Sequence, residues 1–88
     1  MPVGMLAAFR VKLTGKSLLL GRGKGCDAVL PLPTVSKHHC RVFRSGRHWV
    51  IEDLGSRNGT FVNHRRIRRK RLKVGDVIGV ADVEFEVR

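Results

Sequence analysis

A chain of 88 residues with a formal net charge of +11 has room for one domain, and a domain of that size buries only about three-fifths of its unfolded surface. No apolar run approaches the ~20 residues that span a bilayer, and residues 1–8 have neither the length nor the basic start of a secretory signal. Cys26 and Cys40 stand in no Cys-x-x-Cys or zinc-finger spacing, so they read as small apolar residues of a reduced, intracellular protein, with no metal site and no disulfide expected.

In chain order, Ala7, Phe9, Val11 and Leu13 alternate with Ala8, Arg10 and Lys12, the period of a half-buried strand. Thr14-Gly15-Lys16 turns the chain into the strand-length run Ser17-Leu18-Leu19-Leu20. Gly15-Lys16-Ser17 resembles the end of a nucleotide-binding P-loop, but position 10, where that motif needs glycine, is Arg10 and no helical pattern follows. Gly21-Arg22-Gly23-Lys24-Gly25-Cys26-Asp27 is a glycine-rich loop, and Ala28-Val29-Leu30 a short strand. Pro31 and Pro33 then exclude both a central strand and a helix between them.

A second polar loop, Thr34-Val35-Ser36-Lys37-His38-His39, leads into a strand with Cys40 and Val42 on one face. After the Ser45-Gly46 turn, 48–53 reads as a strand with Trp49 and Ile51 inward. The densest polar stretch follows: Asp53-Leu54-Gly55-Ser56-Arg57-Asn58-Gly59-Thr60-Phe61-Val62-Asn63, with a turn signal at Asn58-Gly59. Beyond Asn63 the chain is basic and reads as irregular, with Ile67 its lone apolar anchor. Gly75-Asp76 marks another turn, Val77-Ile78-Gly79-Val80 a strand, Ala81-Asp82 a tight connection, and Val83, Phe85 and Val87 a closing alternation.

No helical period of useful length occurs. Many short strands separated by Gly, Asp and Asn turns predict an all-β fold, a small β-sandwich. Residues 1–88 are expected to form this single domain, either as a whole protein or as a piece of a larger one. In such a sandwich the polar loops 21–27, 34–39 and 55–63 are free to carry function. If they gather at one end, Arg22, Ser36, Lys37, Arg57 and Asn58 share a space with little acid nearby. That is an anion site: an arginine fork can meet two phosphate oxygens, a hydroxyl a third, and an asparagine offers donor and acceptor to a peptide main chain.

The same residues carry a family resemblance. Gly21-Arg22, then Ser36-Lys37-His38-His39 in a Ser-x-x-His pattern, then Asp53-Leu54-Gly55-Ser56-Arg57-Asn58-Gly59-Thr60 with Asn63, and finally Leu72, Gly75-Asp76 and Ile78 follow the order and spacing of the forkhead-associated (FHA) domain. The chain from about Leu18 onward resembles that family, whose members bind phosphothreonine peptides. The resemblance implies a sandwich of about eleven strands with binding loops at one end. It implies phosphate binding by Arg22 and Ser36, aided by Lys37, and peptide binding by Asn58 and Arg57. Gly21, His39, Gly59 and Asn63 would shape the loops.

The implied partner is a phosphothreonine-containing protein, with acidic residues near the phosphosite as a natural complement to the basic surface. No cofactor, no membrane and no self-association are implied. An enzyme is not expected: His39 as a base for Ser36 lacks a third residue to orient it. Asp53 and Asp76 read as turn-formers, because no acidic cluster accompanies them. The competing class is nucleic-acid or polyanion binding through the basic run 65–73 (Arg65, Arg66, Arg68, Arg69, Lys70, Arg71 and Lys73), although no helix-turn-helix, zinc-finger or RNP motif accompanies it.

Overall fold

The computed structural model describes residues 17–87, and the strand expected over 7–13 lies outside them. Nine strands are described: β1 (Ser17–Gly21), β2 (Ala28–Val29), β3 (Cys40–Ser45), β4 (His48–Asp53), β5 (Thr60–Val62), β6 (Arg65–Ile67), β7 (Arg69–Leu72), β8 (Val77–Val80) and β9 (Val83–Glu86). The resemblance implied about eleven. One sheet has the order β2-β1-β3-β4-β7, the other β6-β5-β8-β9. Among the described strands only β1 and β2 pair in parallel.

The core between the sheets follows the alternation. Leu20, Cys40, Val42, Ile51 and Leu72 come from the first sheet, and Val62, Ile78 and Val80 from the second. Leu30 and Val35 join them from the proline-interrupted connection. Burying these side chains contributes on the order of 2 kcal/mol each, before conformational entropy is set against it. Trp49 is half-buried against this core, whereas Ile51 is fully inside. Val50, on the opposite face of β4, is buried as well. It lies opposite Phe43 and Arg71 in the register.

One expectation fails. The basic stretch after Asn63 is not irregular but forms β6 and β7, with a crossover between the sheets at Arg68. These two strands are recruited by pairing with β5 and β4 rather than by apolar alternation. Each lies at the edge of its sheet, where charged side chains are tolerated and discourage further pairing. The turn that permits β6 is Asn63-His64, both at positive φ (53° and 68°), the geometry of a two-residue hairpin.

Candidate functional site

Three loops meet at one end of the sandwich, and the hydrogen bonds that hold them can be followed residue by residue. Arg22 N–H donates to the Ser36 carbonyl at 2.9 Å and Gly23 N–H to the Lys37 carbonyl at 3.1 Å, so the 21–27 and 34–39 loops run side by side. The Cys26 thiol reaches the same Lys37 carbonyl at 3.1 Å. Gly21 makes this closeness possible: a Cβ there would collide with the Lys37 carbonyl oxygen. The glycine is therefore required by a close backbone approach, and not by a turn.

His39 is the junction. Its side chain is fully buried. Nδ1 accepts the Ser36 N–H at 3.1 Å, which leaves the ring proton on Nε2 to be donated to the Gly59 carbonyl at 2.7 Å. Its backbone N–H donates to the Leu20 carbonyl and its carbonyl accepts from Leu54 N–H. One residue thus fixes the 34–39 loop to β1 and to the 54–59 loop. Because both ring nitrogens serve backbone groups, the ring is not aligned to deprotonate the Ser36 hydroxyl.

The 54–59 loop is shaped by Asp53. One carboxylate oxygen accepts Gly55 N–H and Ser56 N–H, and the other accepts the hydroxyls of Ser56 (2.5 Å) and Thr60 (2.7 Å). Burial pushes the Asp53 carboxyl up, but these donors outweigh it and hold it below its ordinary value. Ser56 then receives Gly59 N–H on its own hydroxyl at 3.1 Å. Gly59 is at φ +93°, a region that disfavours a side chain. Beneath the loops, burial pushes the Cys40 thiol up to about 12, so it is an inert core group. Both Cys26 and Cys40 are free.

On this frame the polar groups converge. Arg57 N–H donates to the Ser36 hydroxyl oxygen at 3.1 Å, leaving the Ser36 O–H available as a donor. Arg22 Nε is held by the Val35 carbonyl at 3.0 Å, which fixes the guanidinium, and its terminal nitrogens have no hydrogen-bond partner among the described residues. Asn58 Nδ2 donates to the Thr34 carbonyl at 2.6 Å, leaving Oδ1 as an acceptor. The side chains of Arg22, Lys37, Arg57 and Asn58 are exposed, as is His38. The nearby acids are occupied: Asp53 as above, Asp27 by the Leu19 N–H at 2.8 Å, and Asp82 by the Thr34 hydroxyl at 2.6 Å. A cationic concentration whose nearby acids are engaged by backbone and hydroxyl donors can receive an anion without first breaking an ion pair.

Asn63 is the site candidate that the fold places elsewhere. It stands at the far end of β5 from Gly59, donating to Asp76 and accepting Val77 N–H. There it ties the Asn63-His64 hairpin to the 75–76 turn. Asp76 in turn accepts Lys73 N–H. Its carboxyl is held below the ordinary range first by Asn63 and then by that backbone bond. The expectation that Asp53 and Asp76 shape turns matches these contacts, and among the described residues no group of acidic, histidine or cysteine side chains is placed to hold a metal. No helix among them is long and apolar enough to cross a membrane. Sequence reasoning missed the Val35 carbonyl as the brace for Arg22, a role that leaves no side-chain signal. It also missed Asp82, which belongs to the β8–β9 turn yet closes over Thr34.

The family model for the FHA domain matches residues 18–81. The chain is 30% identical over 86 residues to FhaB, an FHA domain-containing protein of Mycobacterium tuberculosis, covering 97% of this chain and 56% of FhaB; it thus spans about half the length of that curated relative. Among solved structures, the FhaA FHA domain complexed with the intracellular domain of Rv3910 superposes with a TM-score of 0.82 at 35% identity, over 89% of this chain and 86% of that one. EmbR of Mycobacterium tuberculosis, in complex with a low-affinity phosphopeptide, superposes with a TM-score of 0.81 at 39% identity, over 84% of this chain and 20% of EmbR. A sandwich whose Gly-Arg, Ser-x-x-His and Asn-Gly loops are tied through one buried histidine, matched over most of its length, leaves no ambiguity of family: this chain belongs to the FHA domain family.

Proposed function

We propose that this chain is a phosphothreonine-dependent binding module of signalling assemblies, acting by recognition and not by catalysis. The observation that carries the reading is the pair Arg22 and Ser36: their loops are bonded to each other, Arg22 is braced through Nε, and the Ser36 hydroxyl keeps its proton free to donate. A phosphate monoester would take the Arg22 fork on two oxygens and the Ser36 hydroxyl on a third. Lys37 adds positive charge at the rim. Asn58, already anchored to Thr34, offers its remaining groups to the peptide main chain beside the phosphate, and Arg57 flanks it.

The partner is a phosphothreonine-containing protein, with acidic residues near the phosphosite matching the basic surface. Phosphopeptide binding by EmbR supports the same class of ligand here. The polyanion reading of the basic run lacks comparable support, because its cations are divided between the edges of two sheets with no groove-reading element among them.

The test is binding of a degenerate phosphothreonine peptide library by the wild type and Arg22→Ala. Loss of that charge-assisted pair should weaken binding by on the order of 2 kcal/mol or more, and unchanged binding would refute the assignment. Phosphoserine peptides should bind distinctly less well than phosphothreonine ones; equal affinity would contradict the role of Asn58.

A further inference from the structure

Beside the phosphate loops lies a second concavity. A groove lined by Asp53, Gly55, Ser56, Arg66, Ile67 and Arg68 runs between the 54–56 turn and the β6–β7 crossover. Its two walls are bonded together, since Asp53 N–H donates to the Arg68 carbonyl at 2.7 Å. One wall continues directly into Arg57 and Asn58. The other brings Arg66 over the loop: its Nε stands 3.0 Å from the position a Gly59 Cβ would take, one residue from Asn58.

Most of the neighbouring arginines already have company. Arg41 pairs with Glu52 at 3.0 Å, Arg69 lies over the Phe43 ring, and Arg71 approaches His48. Arg66 and Arg68 are exposed, and among the described residues neither guanidinium has a carboxylate partner. The acid that shares the groove, Asp53, has both carboxylate oxygens engaged by donors from Gly55, Ser56 and Thr60, so its oxygens are committed to the loop and not to the two arginines. Ile67 is half-buried between the arginines.

We infer that this groove is a second anion subsite, in which Arg66 and Arg68 receive one further anionic group carried on the same peptide a few residues from the phosphothreonine. The inference rests on the phosphothreonine reading of Arg22 and Ser36. The required chemistry is a carboxylate or a second phosphate; both accept from a guanidinium fork. The subsite selects among phosphothreonine peptides without itself creating the requirement for phosphate.

The test titrates the full 88-residue chain with phosphothreonine peptides: one with neutral flanks, two with acidic residues on either side of the phosphothreonine, and one with a second phosphothreonine. The acidic and the doubly phosphorylated arms separate the two sources of the anion. In the wild type the preferred charged peptide should bind about five- to tenfold more tightly than the neutral one, the gain expected of two partly exposed ion pairs. Arg66→Gln with Arg68→Gln should abolish that gain and leave the neutral peptide unaffected. Arg65→Gln with Arg71→Gln, which removes the same charge outside the groove, should keep it.

Equal gains in the two double variants would reduce the effect to net charge and overturn the inference, as would the absence of any gain in the wild type. A loss of neutral-peptide affinity in Arg66→Gln/Arg68→Gln as large as the loss of charged-peptide affinity would also overturn it, by making Arg66 a support for Gly59. Arg68→Gln alone, away from Gly59, should still lose part of the gain. A single-stranded oligonucleotide bound as tightly as the charged peptide and lost in the same variant would reassign the groove to nucleic acid. Failure of the neutral phosphothreonine peptide to bind the wild type would instead sink the underlying reading.

Discussion

At the loop end of the sandwich the buried polar groups are bonded to one another beneath the exposed cations, whereas along β6 and β7 most cations face solvent. His39, Asp53, Ser56 and Thr60 sit in one connected set of hydrogen bonds, and His39 and Thr60 are fully buried. Arg65, Arg66, Arg68, Arg69, Lys70 and Arg71 are all exposed. The first region has a single geometry because each buried donor or acceptor would cost about 1–3 kcal/mol if left unpaired. The second can vary, because an exposed cation is solvated wherever it points. Polarity alone therefore does not mark the candidate site; polarity whose own partners fix it does. Substitutions should divide along the same line.

The largest effect should come from His39→Ala. It leaves the part-buried Ser36 N–H and the buried Gly59 carbonyl unpaired and opens a cavity, for a loss of about 3–5 kcal/mol, visible as a fall in the thermal midpoint of well over ten degrees, taking about 4–8 °C per kcal/mol for a domain of this size. Gly21→Ala should follow, because its Cβ meets backbone that cannot rotate away; about 1–3 kcal/mol is expected, with phosphopeptide binding lost as the Arg22 and Ser36 loops separate. A His39→Ala protein with an unshifted midpoint would break the contrast outright. Arg22→Ala should leave the stability within about 1 kcal/mol of wild type, since that side chain is exposed and makes one bond to the fold.

How much of this could be read from the chain depends on the signal each feature leaves. Alternation exposed the core of β3 and β9, and Pro31 with Pro33 marked the strandless connection, because side-chain period and ring geometry are local properties. The gathering of Arg22, Ser36 and Asn58 was legible from loop composition and motif spacing. β6 and β7 were not, since their partners β5 and β4 supply the hydrogen bonds and no apolar rhythm is needed at an edge. Nor was the placement of Asn63. Its proximity to Asn58-Gly59 in sequence suggested one loop, but β5 carries it to the other end of the sheet.

An intermediate effect should appear on acidification. The Asp53 and Asp76 carboxyls lie below their ordinary values in the fold. Each therefore contributes stability that is present above the unfolded carboxylate range, about pH 4, and lost as pH falls through its lower folded value. Asp53→Asn should be less stable than wild type at neutral pH, because an amide cannot accept at both positions. The gap should narrow as the pH falls below the ordinary carboxylate range and the wild-type carboxyl itself becomes protonated. Chemical denaturation at several pH values measures this; a gap independent of pH would mean that shape, not charge, matters at Asp53.

The smallest effect belongs to the basic edge, and its sign is informative. Arg65→Gln with Arg71→Gln lowers a net charge of +11 to +9 (11 − 2) without touching the loop network. Each exposed substitution should change stability by no more than about 0.5 kcal/mol. The direction should be stabilising at low salt, where like charges within ~30 Å still repel at 0.01 M ionic strength. Added salt should therefore stabilise the wild type more than the variant, and the two should converge near 1 M, where screening acts within ~3 Å. A variant less stable than wild type at every salt concentration would show that these two cations hold the edge by specific contacts. The division between a fixed loop end and a permissive edge would then have to be redrawn around His48, the group Arg71 approaches.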